Sequence, residues 1–144
     1  RHTPRSQPGC TIFVKLWQFD AADRTQVRLD TSALPFVPAA DRAGVSVKPL
    51  FADARETVRL EAWAPHAQIT LAGLPGGAEL LVLEGDFVTR GETPQDETFR
   101  PLSWLRLPPG DALTARAGAA GCRLWLKTGH LRDQPTAPPN HPTT

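Results

Sequence analysis

The sequence predicts an all-β fold, a sandwich or small barrel built from many short strands. Three observations carry this. Apolar and polar residues alternate over short runs, turn-forming residues separate those runs at regular spacing, and no window sustains a 3.6-residue apolar period over a helical length. The run Thr57-Val58-Arg59-Leu60-Glu61-Ala62 alternates cleanly, one face in and one out. The punctuation falls at Leu74-Pro75-Gly76-Gly77, Glu84-Gly85-Asp86 and Pro108-Pro109-Gly110, all read as turns.

In chain order, the first run (residues 10–19) is apolar on both alternating faces. Ile12, Val14 and Leu16 lie on one, Phe13, Trp17 and Phe19 on the other, the pattern of a strand covered on two sides. Asp20-Ala21-Ala22-Asp23 reads as a turn, and residues 25–30 as a strand alternating Val27 and Leu29 against Gln26 and Arg28. Residues 32–44, with Pro35 and Pro38, read as a loop. Strands then follow at 45–50, 57–64, 66–72, 79–84, 86–90, 102–107 and 122–128. Beyond Arg132 the four prolines Pro135, Pro138, Pro139 and Pro142 mix with Asn and Thr and cannot build a core, so the tail is expected to be disordered. His141 lies in it and takes no role.

A short phrase occurs twice. Gly9-Cys10-Thr11-Ile12-Phe13-Val14-Lys15 matches Gly121-Cys122-Arg123-Leu124-Trp125-Leu126-Lys127, an offset of 112 residues. The second copy ends a domain's length of chain, whereas the first starts at residue 9. The chain therefore reads as one complete domain preceded by the closing strand of another, and the absence of Met marks it as cut from something longer. A strand with two apolar faces needs partners, so a homodimer, a strand-exchanged dimer or a partner domain in the same polypeptide is expected.

Composition sets further bounds. Among 144 residues, 40% are hydrophobic and 22% charged, with a net charge of +1, so bulk electrostatics point neither to nucleic acid nor to an anionic membrane. The 13 Arg and 3 Lys are scattered singly. No apolar run approaches the roughly 18 residues of a spanning helix, and nothing resembles a signal peptide. Two cysteines, so far apart, make neither a disulfide framework nor a zinc site. They read as buried free thiols in a reducing compartment, which places the chain in the cytoplasm.

Several phrases together resemble the cupins of the ChrR type, the C-terminal domains of zinc-containing anti-sigma factors and related single and double cupins. These are Trp63-Ala64-Pro65; the stretch from Pro75-Gly76-Gly77-Ala78-Glu79 through Leu80-Leu81-Val82-Leu83 to Glu84-Gly85-Asp86-Phe87; Trp104-Leu105-Arg106-Leu107-Pro108-Pro109-Gly110; and the closing Gly121-Cys122. The resemblance covers residues 44–131 and implies a cupin-type double-stranded β-helix, a jelly-roll barrel. It also makes residues 1–20 the closing strand of a preceding or exchanged cupin, residues 21–43 a linker with one strand, and residues 132–144 a Pro-rich tail.

In such cupins a His-x-His, a Glu four residues beyond it, and a His three residues after the Gly of Pro-Pro-Gly hold a divalent ion with open positions for water or substrate. The resemblance puts those positions at Ala72, Leu74, Ala78 and Leu113, none of which can ligate. His66, Glu79, Glu84 and His130 do not rescue the site: His66 belongs to a turn, Glu79 points away from the neighbouring slot, Glu84 faces solvent, and His130 lies at the end of the closing strand. His2 matches a ligand position of the preceding cupin, but its partners would lie upstream of Arg1.

No catalytic residue, metal ligand or cofactor is therefore assigned. The expectation is a degenerate, metal-free cupin with a structural, regulatory or interaction role, belonging to a double-cupin or anti-sigma-like protein. Two alternatives stand beside it. One is a dioxygenase-like enzyme whose metal site lies in an upstream cupin; the other is a binding protein for a small hydrophobic ligand, with Trp63, Leu74, Trp104 and Leu113 lining an apolar pocket.

Overall fold

The structure, a computed structural model, describes residues 5–15, 22–90 and 96–132. They fall into two compact units, residues 5–15 with 22–25 in one, and 26–90 with 96–132 in the other. The larger unit is all-β and antiparallel: β1 (Val37–Pro38), β2 (Val45–Ala52), β3 (Thr57–Trp63), β4 (Gln68–Leu71), β5 (Ala78–Arg90), β6 (Asp96–Phe99), β7 (Trp104–Leu107) and β8 (Leu113–Thr128).

Two long bent strands, β5 and β8, join two layers. Their mutual register runs from Ala78↔Thr128 to Thr89↔Ala115. The C-terminal half of β8 also pairs β3, and the N-terminal half of β5 pairs β7, giving one layer that β2 and β1 extend. The N-terminal half of β8 pairs β4, and the C-terminal half of β5 pairs β6, giving the other. Each long strand changes layer in the middle, where the pairing shifts between Val82 and Glu84 and between Gly85 and Phe87. Glu84-Gly85-Asp86 is therefore not a turn ending a strand but an irregularity inside β5, a bend of the kind bulges produce. Gly85 permits it, because at φ 69° a Cβ there would stand 2.1 Å from the Gly121 carbonyl oxygen.

Alternation then fixes what is buried. Ala78, Leu80 and Val82 of β5, Cys122, Leu124 and Leu126 of β8, Val45 and Trp63 face inward from the first layer. Ile69, Leu71, Phe87, Phe99, Leu113, Ala115 and Ala117 meet them from the second. Phe87 is fully buried at the centre, stacked on Phe99 with ring centroids 4.8 Å apart and tilted against Trp63 at 5.3 Å. On the outer face of the first layer, Lys48 donates to the Thr31 carbonyl, and its ammonium lies 4.5 Å from the Phe36 ring, with the Arg123 guanidinium 5.9 Å away. Thr31 and Phe36 thus lie against the outside of the barrel.

Several sequence expectations need correcting. Residues 25–30 form no strand, and residues 102 and 103 precede β7 rather than belonging to it. β1, β6 and the first half of β8 were not anticipated. Residues 10–15 are in no strand, with Ile12, Phe13 and Val14 46–61% exposed, so no two-sided burial is seen there. Residues 16–19 of that expected strand, His2 and the tail from 133 onward lie outside the described residues. Gly9 and Gly121, the first residues of the repeated phrase, both adopt positive φ, 82° and 78°. Cys10 is exposed, not buried, whereas Cys122 is buried.

Candidate functional site

The four positions that the cupin resemblance marks as ligand sites are placed by the start of β5, the start of β8 and the loop between β4 and β5. Ala78 has no exposed surface and Leu113 only 5%, both within the core, and Leu74 packs against that core. Ala72 is exposed. Three of the four thus lie in or against the interior, and all present hydrocarbon. No three His, Cys, Asp or Glu side chains among the described residues converge closely enough to hold a metal ion. The donor set does not fit a divalent ion, and no chemical step is assigned to one.

Of the residues expected to line an apolar pocket, Trp63 and Leu113 belong to the core and Leu74 packs against it. Trp104 does not join them. It is 50% exposed, because Leu105 and Leu107 take the inward positions of β7 and leave Trp104 and Arg106 facing out. His66 is exposed in a turn at φ 59°. Glu84 is exposed and pairs with Arg123, Nη1 to Oε2 at 2.9 Å.

Glu79 is buried and His130 half-buried. The side chains retain 5% and 9% exposure, and His130 Nε2 stands 3.1 Å from Glu79 Oε1. Neither imidazole nitrogen meets hydrogen-bond geometry with a partner among the described residues. Lys127, the cross-strand neighbour of Glu79, is buried and bound to Glu56 at 2.7 Å. These groups close one end of the first layer, where Leu131 N–H donates to the Gly76 carbonyl and Gly129 N–H to that of Gly77.

A second polar cluster was missed by the sequence reading. Glu61 has no exposed surface and faces inward from β3 beside Trp63. Arg42 binds it through both terminal nitrogens at 2.7 and 3.0 Å, Arg59 Nε reaches it at 2.6 Å, and the Trp63 indole N–H donates at 2.7 Å. Burial alone would raise the Glu61 pKa, but the hydrogen bonds from Arg42, Trp63 and Arg59 and the Arg59 charge outweigh it and hold the carboxyl below its ordinary value. The signal was in the register: Arg59, Glu61 and Trp63 share one face of a strand whose Trp is core.

Cys122 carries a buried thiol that is scarcely ionised at neutral pH. Burial, with the Asp86 carboxylate adding to it, pushes its pKa up to about 12.

No family model matches the chain, and no curated protein matches it. Solved structures do. The cupin domain of Cnp3 from Schizosaccharomyces pombe superposes with a TM-score of 0.60 at 10% identity, over 72% of this chain and 73% of that one. The polyketide cyclase RemF from Streptomyces resistomycificus gives 0.63 at 14%, over 78% and 83%. An RmlC-like cupin from Shewanella frigidimarina gives 0.61 at 13%, over 76% and 95%. With two layers exchanged through β5 and β8, and these neighbours, the chain has the jelly-roll fold of the RmlC-like cupins.

Proposed function

We propose that this chain is a degenerate cupin barrel of the ChrR-like kind that works without a metal, as a structural, regulatory or interaction module. Its partner in that role is a second copy or a metal-bearing cupin of the same polypeptide, in a double-cupin or anti-sigma-like protein. One observation carries the reading: hydrocarbon at Ala78, Leu113 and Leu74, buried or packed against the core, at three of the four positions that the resemblance assigns to ion-holding side chains. A divalent ion is held by imidazole and carboxylate donors, and the interior offers none at those points.

The fold alone does not choose between enzyme and module, since RemF is a cyclase on a similar frame. The side chains favour the module. Glu61 is held as an anion by three donors, so the carboxylate facing the core is committed to neighbouring groups. A general base needs a free lone pair and a pKa near the working pH.

The test restores the site. Ala72→His, Leu74→His, Ala78→Glu and Leu113→His together should confer thermal stabilisation by zinc or manganese that the parent chain lacks. A folded quadruple variant that gains no metal response contradicts the placement of the four positions.

A further inference from the structure

The outer edge of β7 differs from the other strand edges of the fold. β1 is two residues long and ends in Pro38, β6 opens with Asp96 and Glu97, and β4 shows Gln68 and Thr70 to solvent. Short length, proline, charge and polarity all discourage pairing with another chain. β7 instead carries Trp104 at 50% exposure, bordered by Leu102 at 69% and Leu83 at 38%.

The entry to β7 is built against local preference. Leu102 N–H donates to the Val82 carbonyl at 2.9 Å, while Val82 N–H donates to the Ser103 carbonyl at 3.0 Å. This is the bulge whose first residue takes the left-handed conformation and is usually glycine. Leu102 takes it at φ 70°. A leucine here is strained and, largely exposed, buries little within its own chain in return.

The bulge also fixes where the backbone points. With Ser103 bonded to Val82, Leu105 and Leu107 turn their polar groups toward Leu80 and Ala78 of β5. Trp104 and Arg106 then direct N–H and C=O away from it. Among the described residues no strand pairs with that edge.

We propose that β7 pairs antiparallel with β7 of a second copy, across a two-fold axis at Leu105. In this register Trp104 opposes the partner's Arg106, and the outward N–H and C=O groups of both residues meet in mutual hydrogen bonds. Trp104 and Arg106 lie on one face of the strand, so each guanidinium comes against an indole, an attractive cation–π match rather than a clash of like charges. Leu102 and Leu83 border the joint. Pro101 and Pro108 bound the strand, and the two-fold arrangement uses the edge up, so assembly stops at a dimer. This rests on the interaction-module reading only for self-association, not for the missing ion.

Sedimentation or light scattering of the full chain tests it. The wild type should run at twice 15.7 kDa. Trp104→Glu, with an unchanged far-UV spectrum, should weaken dimerisation at least about tenfold. Leu102→Gly should move two readouts in opposite directions, raising the melting temperature of the dilute monomer while weakening the dimer. A monomeric wild type overturns the proposal, as does a dimer untouched by both substitutions. A dimer dissolved by Phe13→Asp but not by Trp104→Glu moves the contact to residues 10–15, overturning the β7 joint and leaving the module reading intact. Bound stoichiometric metal in a dimer broken by Trp104→Glu would do the reverse.

Discussion

Trp63 and Glu61, two residues apart on β3, are joined by an indole N–H···Oε2 bond of 2.7 Å that ties the aromatic core to a buried carboxylate. The same carboxylate holds Arg42 in the loop before β2 and Arg59 on its own strand. Glu61 therefore fastens the loop over the inner face of β3 without leaving a polar group unpaired.

Glu61→Ala should cost about 3 kcal/mol, the lower end for breaking a buried ion pair, because Arg42 and Arg59 keep 18% and 23% exposure and can turn to water. Denaturant titration reads this directly. The pH dependence has a defined sign. The folded pKa lies below 4.5, so the contribution is fully present above that value and is lost as pH falls through the folded pKa. Wild type should lose stability relative to Glu61→Gln on acidification below about pH 4.5, and equal slopes for the two would contradict the assignment.

The two thiols should separate cleanly. With Cys10 exposed and Cys122 buried with its pKa near 12, alkylation at pH 8 should label Cys10 alone in the native chain and both in denaturant. Mass spectrometry of the labelled peptides checks it.

Gly121→Ala should destabilise by more than about 1 kcal/mol, since the residue has φ 78° and its new Cβ would stand 2.5 Å from the Trp63 carbonyl oxygen. Gly9 has positive φ but nothing within 4 Å, so Gly9→Ala should cost less. Thermal melts of the two variants measure the difference.

What could be read from the chain follows from where the physics is local. The strand of residues 57–63 and the turn chemistry of 74–77 act over a few neighbours, and both are found. The face of that strand turned inward, however, is that of Arg59, Glu61 and Trp63 rather than the apolar one of Val58, Leu60 and Ala62. The first half of β8 was overlooked because Thr-Ala-Arg-Ala-Gly-Ala is poor in β-branched and aromatic residues, although its inward Leu113, Ala115 and Ala117 do alternate. Gly85 between two acids has the composition of a turn, and only the approach of Gly121 from β8 makes it a bend within a strand. Trp104 looked like pocket lining because its type suits a core. Its neighbours Leu105 and Leu107 fix its face, and that parity was available in the sequence. The Arg42–Glu61 pair spans a loop and a strand, a distance that periodicity does not report.

The most direct measurement is elemental analysis of the purified full chain after incubation with iron, zinc and manganese, followed by removal of free ions. The apolar side chains gathered at the barrel's centre predict trace amounts of each. A near-stoichiometric transition ion retained after free ions are removed would contradict it.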